Sequence, residues 1–169
     1  MLRLRPYRKS DAEAITGWIK DERSFRFWCA DRFDRYPITA ADLNDQYDNS
    51  EGAADVFHFT AYDEDGIAGH INIRFPESGN IDTVRFGYVI IDDRKRGRGL
   101  GREMISLALR YSFDIMKAEK VTIGVFAENK PALGCYLSAG FRDTGVSEKF
   151  FFYDEEWCCK ELEITKGKE

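Results

Sequence analysis

The segment Arg96-Gly97-Arg98-Gly99-Leu100-Gly101 constrains this chain more than any other stretch. Before it runs a strand-like segment, residues 81–91. After it runs a helical stripe over residues 100–116, carried by Leu100, Met104, Leu107, Ala108, Tyr111 and Ile115. A strand, a glycine-rich turn and a helix in that order bring the unpartnered amides of a first helical turn onto an anion. Glycine lets the backbone approach such a ligand closely, and Arg94, Lys95, Arg96, Arg98 and Arg102 add positive charge. A cofactor diphosphate matches this geometry. The singly alternating glycines do not make a Gly-x-Gly-x-x-Gly fingerprint, and no Gly-Lys-Ser/Thr ending makes a Walker loop. A solvated basic turn is the remaining alternative.

The rest of the pattern sets the class. Residues 2–5 read as a short strand. Ser10-Asp11-Ala12-Glu13 reads as a capping box opening a helix that buries Ala14, Ile15, Trp18 and Ile19. Residues 24–37 are rich in aromatics and read as irregular, and Thr39 caps a second helix through about Tyr47. Strands follow over 56–62, 67–75 and 81–91, joined by turns at Asp63-Glu64-Asp65-Gly66 and at 76–80. After the 100–116 helix come a strand over 121–126, a helix over 131–139 ended by Gly140, and two closing strands around 150–152 and 158–164. Antiparallel strands running into a strand–helix–strand unit predict an α+β class with a mixed sheet. No linker or repeat divides the chain, so residues 1–169 read as one domain with a polar tail from about 166.

The formal net charge of −5 disfavours general nucleic-acid binding, and the basic run from Arg94 to Arg102 is confined to one loop. The longest apolar runs fall short of a membrane span, and the alternating N-terminus lacks a signal-peptide core. A cytoplasmic location is the expectation. Cys29, Cys135, Cys158 and Cys159 have no metal-ligand spacing and read as reduced and structural; no metal site is expected.

A second motif sits downstream: Asn129-Lys130-Pro131-Ala132-Leu133-Gly134-Cys135-Tyr136, then Gly140-Phe141. Asn129 alone reads as a helix cap and Tyr136 alone as a core tyrosine. Taken in order, the two motifs resemble those of the GNAT superfamily of acetyl-CoA-dependent N-acetyltransferases. Arg96, Gly99 and Gly101 fill the fixed positions of its Gln/Arg-x-x-Gly-x-Gly/Ala loop, and Asn129, Ala132 and Tyr136 resemble its Asn-x-x-Ala-x-x-x-Tyr signature. The resemblance spans residues 2–164, and the Asp154-Glu155-Glu156-Trp157 stretch is similar to the branch of ribosomal-protein N-terminal acetyltransferases.

The resemblance implies a three-layer fold. A mixed, mostly antiparallel sheet of about seven strands would lie between helices, with its central strands splayed. It implies acetyl-CoA as donor and a primary amine, of a small molecule or a peptide, as acceptor. A direct ternary-complex mechanism would join them, and relatives in the family often form homodimers. Amides of Arg96, Gly97, Arg98, Gly99, Leu100, Gly101 and Arg102 would hold the diphosphate. Val89, Ile90 and Ile91 would line the acetyl-pantetheine arm and polarise its carbonyl. Asn129 would bind the arm or orient the helix, and Tyr136 would bind the sulfur and protonate it on departure. Trp28, His70 and Tyr88 are expected to meet the acceptor. The family's frequent glutamate on the strand before the loop is missing from Val84-Arg85-Phe86-Gly87-Tyr88. Glu128, Asp92, His70, Tyr88, Asp31 and ordered water stay open as proton acceptors. A noncatalytic acyl-CoA-binding module is the alternative function.

Overall fold

A computed structural model describes residues 1–50 and 55–167; of the polar tail, residues 168 and 169 lie outside the described residues. Seven strands form one sheet: β1 (Arg3–Pro6), β2 (Val56–Asp63), β3 (Gly66–Arg74), β4 (Thr83–Ile91), β5 (Lys120–Phe126), β6 (Arg142–Phe152) and β7 (Glu155–Thr165). Their spatial order is β1-β2-β3-β4-β5-β7-β6. The pairing of β4 with β5 is parallel and the others are antiparallel. The helices are α1 (Ala12–Gly17), α2 (Glu22–Cys29), α3 (Ala40–Ser50), α4 (Leu100–Arg110) and α5 (Lys130–Ser138).

Two cores flank the sheet. One joins α4 and α5 to inward residues such as Ile71, Ile73, Val84, Phe86, Val121 and Ile123. The other joins α1, α2 and α3 to Tyr88 and Ile90. Val84, Phe86, Tyr88 and Ile90 have the same parity along β4, yet the first two face one core and the last two the other. An inserted residue explains the switch, because a strand's side chains alternate strictly unless a bulge intervenes. The register records it: His70 pairs Ile90 while Asn72 pairs Gly87. Tyr88 has φ +51, an uncommon conformation for a bulky residue.

The bulge also ends the β4–β5 ladder. Pairing runs from Thr83↔Lys120 to Phe86↔Ile123 and stops, whereas β5 stays paired to β7 as far as Phe126↔Cys159. Beyond Phe86 the two central strands diverge, which opens the middle of the sheet.

Three local expectations are corrected. Asp11, not Ser10, takes the N-cap position of α1, and it makes no side-chain capping bond there; its buried carboxylate reaches back to the Arg8 amide at 2.9 Å. It also accepts from Arg5 Nη1 and Nη2 at 2.8 and 2.9 Å and from Thr60 Oγ1 at 2.7 Å. A charged acceptor with several donors outcompetes a serine hydroxyl. The stretch read as irregular contains α2, capped by Asp21, whose carboxylate accepts from the Ser24 amide at 2.7 Å. The closing hairpin is longer than expected: its two-residue turn is Tyr153-Asp154, both at positive φ, with Phe152 paired to Glu155.

Candidate active site

The opening in the sheet continues into one cleft of about 950 Å³. Its upper end is the loop between β4 and α4. Gly97 and Gly99 hold φ of +78 and +77, and a Cβ on either would meet no heavy atom within 4 Å. Gly99 is the N-cap of α4, and the first helical bond runs from the Glu103 amide to the Gly99 carbonyl at 3.1 Å. The amides of Leu100, Gly101 and Arg102 precede that bond and have no acceptor within the helix. A Cβ on Gly101 would make only ordinary contacts, 3.4 Å from Cys135 Sγ and 3.8 Å from Ile91 Cγ1.

The basic residues divide by partner. Arg94 donates from Nε and Nη2 to Asp92 at 3.1 and 2.9 Å, and Lys95 reaches Asp63 at 3.4 Å. Arg96, Arg98 and Arg102 form no ion pair among the described residues. Arg96, Gly97, Gly99, Leu100, Gly101 and Arg102 line the cleft, while the Arg98 side chain lies outside its lining.

The middle of the cleft is walled by Val89, Ile90 and Ile91 from β4 and by Asn129 and Tyr136 from α5 and its approach. Beyond Phe86, backbone groups of β4 that face β5 have no ladder partner. Asn129 occupies the N-cap position of α5, but its side chain makes no capping bond, so the amide is left for the cleft. Tyr136 is 6% exposed, and its hydroxyl has no hydrogen-bond partner among the described residues. Burial pushes its pKa above the usual tyrosine value, with the neighbouring Cys135 adding to the effect. It therefore stays protonated at neutral pH.

Trp28 and Tyr88 line the cleft as well, their rings edge to face with centroids 5.1 Å apart. The placement of His70 beside the acceptor is corrected. His70 is fully buried on the α1–α3 face, where its Nε2 lies 2.7 Å from the Tyr47 hydroxyl. Burial pushes its pKa down to about 3. Alternation along β3 does put His70 and Asn72 on one face, but α3 covers His70.

The other proton acceptors sort by environment. Asp92 is held by Arg94, whose hydrogen bonds keep its pKa below the carboxylate range. Tyr88 has its pKa raised by burial. Asp31 and Glu128 line the cleft, and Glu128 Oε2 is buried without a hydrogen-bond partner. Cys29 is sealed, and desolvation pushes its thiol up to about 12, so it is no nucleophile. Residues absent from the sequence expectations also line the cleft: Arg32, Arg74 and Arg85. They come from three separate segments, and no local motif marks them.

A mixed sheet split between its central parallel strands, with a helix N-terminus at the mouth of the split, defines a protein that admits a long phosphorylated cofactor through its middle. The family model of the acetyltransferase (GNAT) domain matches residues 1–142, and the chain belongs to that family. An N-acetyltransferase 9-like protein of Nematostella vectensis is 26% identical over 51% of this chain and 43% of its own length. A spermidine N(1)-acetyltransferase of Vibrio cholerae is 33% identical over 53% of this chain and 57% of its own length. The chain thus spans about half the length of these curated relatives. A crystal structure of spermidine N-acetyltransferase from Vibrio cholerae in complex with CoA and spermine superposes over 97% of this chain and 95% of that one, with TM-score 0.79 and 24% identity. That likeness bears on the fold, including the sandwich of helices about a seven-stranded mixed sheet.

Proposed function

We propose that the protein transfers an acetyl group from acetyl-CoA to a primary amine by direct attack in a ternary complex. The observation that carries this reading is the joining of two features in one cleft: free helix-N-terminal amides over open positive-φ glycines, and a split between β4 and β5 whose backbone is unpaired. The family relationship supports it, as does the CoA named in the complex of the Vibrio cholerae structure.

In this reading the loop from Arg96 to Arg102 binds the diphosphate and Asn129 the pantetheine arm. An amide near Val89 or Ile90 donates to the thioester oxygen as charge builds there. The amine nitrogen bonds to the acetyl carbon, and the carbon–sulfur bond breaks. Tyr136 gives its proton to the leaving sulfur, and Glu128, directly or through water, receives the proton lost by the amine. Trp28 and Tyr88 shape the acceptor pocket. The whole chain acts as one acetyltransferase domain. A cytoplasmic setting fits its four unpaired cysteines. Among the described residues no helix is long and apolar enough to cross a membrane. A homodimer formed through the edge strand β6, where Phe151 is exposed, is testable by sedimentation.

The deciding assay is free-thiol release from acetyl-CoA across a panel of amines, beside calorimetric titration with CoA. Amine-dependent release is expected. Tight CoA binding with no release for any acceptor would instead favour the noncatalytic acyl-CoA-binding module.

A further inference from the structure

The closed end of the split carries charge that the fold does not neutralise. Arg74 and Arg85 are register partners on β3 and β4. Ile73 and Phe86 face the α4–α5 core, so Arg74 and Arg85 point to the opposite face. Arg32, from the turn after α2, approaches over that face. Its guanidinium lies 4.8 Å from the centroid of the Tyr88 ring, and its Nη2 lies 3.9 Å from where a Cβ on Gly87 would sit. Arg26 fixes the turn by donating from Nη1 to the carbonyls of Ala30 and Phe33 at 3.0 and 2.7 Å.

Arg85 is engaged, donating to Thr122 Oγ1 at 3.2 Å and to Glu161 at 2.5 Å. Arg32 and Arg74 have no ion pair among the described residues. Burial, and then the charges of Arg32 and Arg85, push the pKa of Arg74 below that of an ordinary guanidinium. Three guanidiniums thus share one carboxylate, Glu161, which is bonded to Arg85, and the surplus positive charge in a half-buried place is unfavourable. A bound anion would relieve it, and a planar guanidinium fork matches a carboxylate. The cofactor diphosphate is not that anion. Arg85 lies six residues before Ile91, about 20 Å along the strand at roughly 3.3 Å per residue, and the loop begins beyond that.

We propose that the acceptor is a small amine that also carries a carboxylate, which Arg32 and Arg74 hold beside Gly87. This rests on the acetyl-transfer reading above. Asp31, Glu128 and Glu148 also line the cleft, so it offers both signs of charge to a zwitterion. A polyamine has no group for the arginine pocket and would bring like charges to it.

The test uses matched acceptors that differ by one carboxylate, such as lysine against cadaverine and phenylalanine against phenethylamine, with spermidine and phosphoethanolamine as further arms. Thiol release should favour the carboxylate-bearing partner of each pair by at least about tenfold in kcat/KM, the size of one charge-assisted hydrogen bond. Arg74→Gln should raise KM for that partner by about ten- to a hundredfold, with CoA affinity unchanged and Arg74→Lys partly restoring it. A second measurement removes dependence on turnover: N-acetyl amino acids should bind the CoA-loaded protein more tightly than the N-acetyl amines lacking a carboxylate. Equal or better use of cadaverine or spermidine overturns the proposal, as does preference for phosphoethanolamine alone. Failure of N-acetyl amino acids to bind overturns it too. Loss of CoA binding itself would overturn the acetyl-transfer reading instead, so the two failures are distinct.

Discussion

Tyr136→Phe separates a proton donor from a packing residue, because the structure gives opposite expectations for activity and stability. The ring is held in the α4–α5 core, 6.3 Å from the Phe141 ring between centroids, and phenylalanine keeps that packing. The hydroxyl has no hydrogen-bond partner among the described residues, so its removal breaks no bond in the ligand-free protein. The hydroxyl is not sealed away without a partner but belongs to a residue lining the cleft, so its removal should change stability by less than about 1 kcal/mol, or at most about 2–4 °C in melting temperature for a chain of this size. Activity should fall. A positioned general acid contributes about 10²–10⁴-fold, equivalent to about 2.7–5.5 kcal/mol in the barrier. Thiolate is a tolerable leaving group, which places the expectation toward the lower end. CoA affinity should hold, since the effect is confined to the transition state. The assay measures kcat by thiol release, CoA affinity by calorimetry and melting temperature on one preparation. Full kcat in the variant, with single-turnover kinetics showing chemistry to be rate-limiting, would refute the reasoning.

Gly99→Val should abolish most of the CoA-induced rise in melting temperature, because Gly99 sits at φ +77 with open space where the diphosphate would lie. Gly101→Ala should retain that rise, since its Cβ would only touch Cys135 Sγ at 3.4 Å; the reverse pattern would undo the loop assignment. Glu128→Gln should lower kcat/KM by about 10²–10⁴-fold with CoA affinity unchanged, and an unaltered kcat/KM would exclude Glu128 from proton transfer. His58 and His70 have pKa values pushed down to about 4 and about 3 by burial. Above about 6.5 both are neutral folded and unfolded. Below that, the unfolded chain takes up protons that the native state refuses, so stability falls with pH toward those values. Melting curves between pH 6.5 and 5, above most carboxylate titration, should show this slope, and His58→Phe should reduce it; an unaltered slope would remove His58 as its source.

The glycine-rich loop and its neighbours were legible because their signals are local. Strand period, alternating glycines and the stripe from Leu100 to Ile115 each act within a few residues, and the positive φ of Gly97 and Gly99 is a demand only glycine meets cheaply. The Asn129 and Tyr136 positions were legible as a spaced pair, and the structure brings both to the cleft. By contrast, α2 was read as irregular although Phe25, Trp28 and Cys29 recur at helical spacing; at eight residues it shows only about two turns of that stripe.

What tertiary structure alone decided lies in relations between distant segments. No residue type announces the bulge at Tyr88, which comes from β3 and β4 settling their register and turns Tyr88 and Ile90 to the opposite core. That bulge opens the sheet. The insertion of β7 between β5 and β6 likewise depends on long-range pairing. His70 has the alternation of a cleft residue but lies under Tyr47 of α3, because burial depends on what covers a face. Arg32, Arg74 and Arg85 are unremarkable in sequence and become one cationic pocket only when three segments meet. The sequence determined the chemistry available at each position through conformational preferences that act over short distances. The fold decided which groups share a space, because burial and electrostatics act through space rather than along the chain.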